Sequence, residues 1–152
     1  MKTFNISATL FVLVASLNSV TYAADKPDIK AKVAVKEISS WDGALYKSYP
    51  HGQPQLTILE ITIPPHTALP WHQHPVPNAA YLVSGELTVE DRLSGKSLKV
   101  SAGQAFAESV NASHRGVTGD KEAVVIVTYS GVEGAPLSIP DKGEKAEFEH
   151  IK

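Results

Sequence analysis

The stretch Trp71-His72-Gln73-His74-Pro75-Val76-Pro77-Asn78-Ala79-Ala80-Tyr81-Leu82-Val83-Ser84-Gly85 decides how the chain is read. One residue separates His72 from His74. Side chains alternate faces along a strand, so these two imidazoles point the same way from Cα atoms roughly 6.5–7 Å apart. That spacing lets both reach one ion. Pro75 and Pro77 lack an N–H, so the chain just after His74 cannot pair regularly, which suits a pocket rim or an edge strand. Tyr81-Leu82-Val83 then resumes an apolar run that leads to Gly85.

Outward from this stretch, the periods are short. Val33 and Val35 alternate with lysines over residues 32–38, the pattern of a half-buried strand. Pro50-His51-Gly52-Gln53-Pro54 is a turn cluster, and Leu56-Thr57-Ile58-Leu59-Glu60-Ile61-Thr62-Ile63 is a β-branched strand ended by Pro64-Pro65. Residues 86–91 alternate again, and Leu93-Ser94-Gly95-Lys96 reads as a hairpin turn into residues 97–100. The continuous apolar run over residues 123–129 fits one central strand. No stretch of ten residues carries a helical apolar face, so the fold class is all-β, a sandwich or barrel. The barrel core is expected over about residues 32–130, with a charged peripheral tail over 131–152.

Composition narrows the chemistry. The chain has 152 residues, room for one domain, with 20% charged and 43% hydrophobic residues and a net charge of −2. No basic block offers a nucleic acid its phosphate contacts. The absence of cysteine excludes disulfides, thiolate catalysis, iron–sulfur clusters and cysteine zinc sites. Nothing calls for a flavin or a nucleotide. Residues 1–23 read as a secretory signal peptide. Lys2 is the only charge before Asp25, the apolar run 8–15 is too short to span a bilayer, and small residues follow. Cleavage is expected after Ala23, giving a periplasmic or secreted domain of residues 24–152 without a membrane anchor. The only methionine is Met1, so that domain contains no sulfur, and any metal must be held by nitrogen and oxygen.

Six histidines are present: His51, His66, His72, His74, His114 and His150. The pair His72/His74 is followed by Asn78 and Gly85, and later by Gly103, Ser109, Asn111, His114 and Thr118. This arrangement resembles the cupin family, whose motifs run G-x5-H-x-H-x3-4-E-x6-G and G-x5-P-x-G-x2-H-x3-N. All three histidines and two glycines match, over roughly residues 55–130. Asn78 stands where the family has a glutamate, His66 and Asn111 where it has glycines, Ser109 where it has proline, and Thr118 where it has asparagine. Asn111 is the mildest of these changes, because asparagine tolerates positive φ.

The resemblance implies a cupin-like double-stranded β-helix (jelly-roll) barrel, frequent homodimers, and one divalent transition metal, Zn, Fe, Mn, Ni or Cu(II). His72, His74 and His114 are the implied ligands, with Asn78 or Glu108 as a fourth. Three imidazoles alone lean toward zinc or copper, and an added carboxylate shifts the preference toward iron and manganese. Glu108 is the candidate base or fourth ligand, or else a solvated residue pairing with Arg115, and Arg115 is the candidate for positioning an anionic substrate. The expected function is a metal-dependent enzyme on a small molecule, of oxygenase or isomerase type. The alternatives are a non-catalytic metal- or ligand-binding module, and a metal-free barrel with core histidines. His66 is expected at the barrel mouth and His51 and His150 at the surface. Trp71 and Tyr81 are candidates for pocket or core. Asn111-Ala112-Ser113 is a formal glycosylation sequon to which no role is assigned.

Overall fold

The computed structural model describes residues 28–146, and the signal peptide expected over 1–23 and His150 lie outside them. The chain divides into two compact units at Ala31/Lys32, and the barrel belongs to the second. Nine strands form among the described residues: β1 (Pro54–Ile63), β2 (His72–Gln73), β3 (Asn78–Ser84), β4 (Glu86–Asp91), β5 (Ser97–Ser101), β6 (Ala105–Ala107), β7 (His114–Val117), β8 (Ala123–Val132) and β9 (Ile139–Pro140). No helix occurs among the described residues. One sheet has the order β1-β8-β3-β6 and the other β5-β4-β7-β2-β9, with antiparallel neighbours throughout. This is an all-β jelly-roll sandwich.

The period-two pattern determines which side chains meet. On β8, Ala123, Val125, Val127 and Tyr129 are buried, and they pair across β1 with Ile63, Ile61, Leu59 and Thr57. The apolar run 123–129 becomes the central strand because it pairs on both sides, with β1 and with β3. Ala80, Leu82, Leu87, Val89, Val100 and Phe106 complete the core between the sheets. Each fully buried aliphatic side chain contributes about 1.5–3 kcal/mol. Gly85 turns the chain from β3 in one sheet to β4 in the other. Its φ is +77°, and a Cβ there would lie 2.2 Å from the Glu122 carbonyl oxygen, so only glycine fits. The β4–β5 hairpin is closed by Asp91, whose carboxylate accepts from the Ser94 N–H and hydroxyl, each at 2.6 Å.

Two expectations are corrected. Residues 32–38 form no strand. Val33 is 71% exposed, and the only pairing nearby is the isolated bridge Ser39–Leu45. Two valines among lysines supply too little apolar surface to hold a strand on the barrel. Conversely, the segment after residue 131 is not merely peripheral. Its strand β9 pairs with β2, and Leu137 packs on the core. The short β2 has β7 on one side only, and β9 satisfies the backbone of its other edge.

Candidate metal centre

His72 and His114 are directly opposite each other where β2 pairs with β7. His74 follows two residues later on the same face, and its carbonyl accepts from the Asn111 N–H at 2.9 Å. The three rings are buried, with centroids 4.8–4.9 Å apart. Each Nδ1 meets a backbone carbonyl: His72 that of Pro70 at 2.8 Å, His74 that of Leu137 at 2.7 Å, and His114 that of Ala112 at 2.8 Å. A carbonyl oxygen only accepts, so each Nδ1 carries a hydrogen and the Nε2 of each ring is the atom left to face the cluster. One ligand atom from each of the three histidines lies within 4.8 Å of the others. Backbone carbonyls that fix the ring tautomer in this way are the usual companions of metal-binding histidines.

Glu108 completes the cluster. Its Oε2 lies 3.1 Å from His114 Nε2 and 3.7 Å from His74 Nε2, and the residue is buried. Burial pushes its carboxyl up, but hydrogen bonds from His114 and His74 and their charge outweigh burial and hold it well below the usual carboxylate range. His72 is pushed down to about 4, first by burial and then by the charges of His74 and His114, so its imidazole is neutral at pH 7. A carboxylate facing imidazole lone pairs in a dry site needs a cation between them, either a proton or a metal. Three imidazole nitrogens and one carboxylate oxygen fit a divalent transition metal, and without sulfur they do not suit Cu(I). The cavity has about 30 Å³ and is otherwise walled by apolar side chains including Ile61, Leu87, Phe106 and Val127. That volume holds roughly two water-sized groups.

The other expected site residues fall elsewhere. Asn78 is not among the cavity's lining residues. It sits on β3 between Tyr129 of β8 and Glu108, whose N–H donates to the Asn78 carbonyl at 3.1 Å. Its side-chain amide is buried with no hydrogen-bond partner. Arg115 does not reach the cavity either. It follows His114 on β7 and therefore faces the opposite side. There its Nε donates to Glu90 at 2.9 Å and its guanidinium lies 4.3 Å from the Trp71 ring. Glu108 thus pairs with histidines and not with Arg115. Trp71 is on this outer side, Tyr81 is exposed, and His66 is an exposed residue 3.7 Å from Asp120.

The motif departures have physical accounts. His66 (φ 52°) and Asn111 (φ 56°) are the non-glycine residues with positive φ among the described residues, and they occupy two family glycine positions. The backbone turn is kept although the glycine is not. Thr118 donates to the Pro64 carbonyl at 2.6 Å and accepts from the Thr67 N–H at 3.0 Å, tying two loops together. Ser109, fully buried, donates to Asp42 at 3.2 Å. Sequence reasoning missed three neighbours of the site. Tyr129 meets His74 edge-on at 5.5 Å, the Tyr46 hydroxyl donates to the Glu108 carbonyl at 2.6 Å, and Leu137 supplies the carbonyl for His74. The alternation of β8 extended by two residues points Tyr129 inward. Nothing local announces Tyr46 or Leu137.

Residues 59–129 match the family model described as Cupin domain. Comparison with curated proteins returned no match. Among solved structures, the chain is similar to the DMSP lyase DddQ from Ruegeria pomeroyi DSS-3, with 17% identity and a TM-score of 0.53, over 68% of this chain and 49% of that one. It is also similar to the polyketide cyclase RemF from Streptomyces resistomycificus, with 19% identity and a TM-score of 0.50, over 59% of this chain and 62% of that one. The chain spans about half the length of the lyase structures it matches. At such identities these likenesses speak for the fold alone. The jelly-roll topology and the matched residues, which carry the histidine triad, agree, and together they support a place in the cupin superfamily.

Proposed function

We propose that His72, His74 and His114 hold one divalent transition metal through Nε2, with the Glu108 carboxylate as fourth ligand, in an enzyme of oxygenase type acting on a small molecule. The observation that carries this reading is the set of three Nδ1–H···O=C bonds, which orients three Nε2 lone pairs toward one point beside a buried carboxylate. The carboxylate shifts the expected metal from zinc or copper toward Fe(II) or Mn(II). When bound, the metal supplies a Lewis acid and a platform for O₂. The chain's own residues do the rest. The carbonyls of Pro70, Leu137 and Ala112 keep the rings oriented through Nδ1 and leave Nε2 toward the site. The apolar walls exclude bulk water, which strengthens every charge interaction inside. Glu108 keeps an ionised oxygen beside the imidazoles.

The lyase and the cyclase among the similar structures share no single reaction, so the fold leaves the chemistry to the site. A non-catalytic metal-binding module is the second reading, favoured by a cavity of about 30 Å³ that admits only very small groups. The test is elemental analysis of untagged protein followed by oxygen consumption with the bound metal and candidate small substrates. Near one metal per chain with oxygen uptake supports the enzyme, metal without turnover supports the module, and no metal overturns both. Glu108→Gln should move the metal preference from Fe(II) or Mn(II) toward Zn(II). An unchanged preference removes Glu108 from the coordination sphere.

Two further readings accompany this one. Export rests on the leader pattern of residues 1–23, and N-terminal sequencing of secreted or periplasmic protein should begin at Ala24. A homodimer is supported by the outer face of the β1-β8-β3-β6 sheet, where Leu56 and Ile58 are 77% and 67% exposed. Sedimentation equilibrium should give twice the chain mass, and Ile58→Lys should halve it.

A further inference from the structure

The segment from Leu137 to Asp141 lies beyond the residues matched by the family model, yet it touches the chain beside every histidine of the triad. Leu137 gives its carbonyl to His74 Nδ1 at 2.7 Å. Pro140 is paired with His72 where β9 joins β2. The Asp141 N–H donates to the carbonyl of Trp71, the residue before His72, at 2.9 Å. The Asp141 carboxylate accepts from the hydroxyl of Ser113, the residue before His114, at 2.6 Å. Arg92 closes the ring of contacts. Its Nη1 donates to the same Asp141 oxygen at 2.6 Å, its N–H donates to the Ser113 carbonyl at 2.9 Å, and its guanidinium lies 5.5 Å from the Trp71 ring.

From this geometry we infer that residues 137–141 are a clasp that fixes the three histidines for metal binding, with Asp141 as the positioning residue that locks it. The inference rests on the metal reading above. The physical reason is the shortness of β2 and β7. A two-residue and a four-residue strand define their ladders weakly, so the relative placement of His72 and His114 needs a tie that spans both. Asp141 is such a tie, bonded through its backbone to the first strand's approach and through its side chain to the second's. Both side-chain bonds involve an ionised acceptor and are short, the class of hydrogen bond that holds geometry best. Asp141 is only partly exposed, and its carboxyl is held below its ordinary value, first by the Ser113 hydroxyl and then, against burial, by Arg92. The clasp also explains why a tail without a strand pattern is ordered beside the core.

The test is Co(II) binding to the full chain, because the visible spectrum of bound Co(II) reports ligand geometry independently of catalysis. Asp141→Ala should keep the strand circular dichroism, weaken Co(II) about tenfold or more, as lost outer hydrogen bonds to metal ligands do, and alter the visible bands. Asp141→Asn keeps an acceptor for Ser113 and Arg92 and should restore most of both readouts. Glu86→Gln removes a carboxylate of equal charge that is paired with Lys99 of β5, a strand that carries none of the histidines, and it should change neither. An effect of charge alone would make Asp141→Asn as weak as Asp141→Ala, and that result overturns the clasp. Equal affinity and an identical spectrum in Asp141→Ala overturn it too. No Co(II) uptake by the unmodified chain overturns the metal reading and the clasp together.

Discussion

His114 and Arg115 are neighbours in sequence and occupy opposite sides of β7. The inner side carries His72, His74, His114 and Glu108, sealed among apolar side chains. The outer side carries Arg115 and Arg92 around Trp71, with Glu90 and Asp141 as their partners. Both faces are rich in charge and hydrogen bonds, but their energetics differ. Outside, water and salt screen a part-exposed pair such as Arg115–Glu90, which contributes little beyond its packing, while Asp141 acts through the short bonds it makes to Ser113 and Arg92. Inside, the same chemistry is desolvated, so the groups are neutralised, protonated or joined by a metal. Functional potential follows burial rather than the number of charged residues.

The contrast can be broken from either side, and the inner face should respond most. His72→Ala should lower bound metal from near one per chain to below about a tenth, with the fold retained, as read by elemental analysis and circular dichroism. Full occupancy in that variant would remove His72 as a ligand.

Acid should act next. His72 is held at about 4, below its ordinary 6.5, by burial and by the neighbouring histidines. Between those values the unfolded chain takes up a proton that the native site refuses, so its contribution is present above pH 6.5 and lost as pH falls toward 4. Glu108, also held below its ordinary value, adds a loss in the same direction below pH 4.5. Metal-free protein should therefore lose stability from pH 6.5 downward, by about 3 kcal/mol at most from His72. Thermal melts of chelator-treated protein check this, and a flat Tm from pH 7 to 4 contradicts it.

Asn78 sharpens the comparison, being buried beside Glu108 yet unpaired. Replacing its desolvated amide by an apolar group of similar size, Asn78→Leu, should raise stability by about 1 kcal/mol, a few degrees in Tm, and leave metal content unchanged. Reduced metal in that variant would place the amide in the site after all. The smallest effect belongs to the Arg115–Glu90 pair of the outer face. Arg115→Met removes a part-exposed ion pair and a ring contact and should cost no more than about 1 kcal/mol, with metal content unaltered.

Much was legible from the chain alone. Alternation located β4, a hairpin turn located β5, and β-branched and apolar runs located β1, β8 and the end of β3, because strands select such residues and turns bound them. The motif spacing selected His72, His74 and His114, and positive φ at Asn111 follows from what asparagine tolerates. The same alternation misled at residues 32–38, where no sheet edge receives the valines. Whether Asn78 or Glu108 faces the histidines was open in the sequence, since both lie on inward faces. The answer depends on how β3, β6 and the loop after it are placed around His74 and His114. Arg115 was a plausible anion binder until its strand parity was known, and Leu137 and Asp141 carried no signal at all. Local pattern therefore pointed to the strands and to the His72/His74 pair, because a period of two is a property of the backbone, and the family motifs added His114. Tertiary structure brought the Glu108 carboxylate to His114 and His74, and set Leu137 and Asp141 beside the histidine strands. The contacts of Ser113 with Asp141 and of His74 with Leu137 join residues 28 and 63 positions apart, and no local pattern encodes such distances.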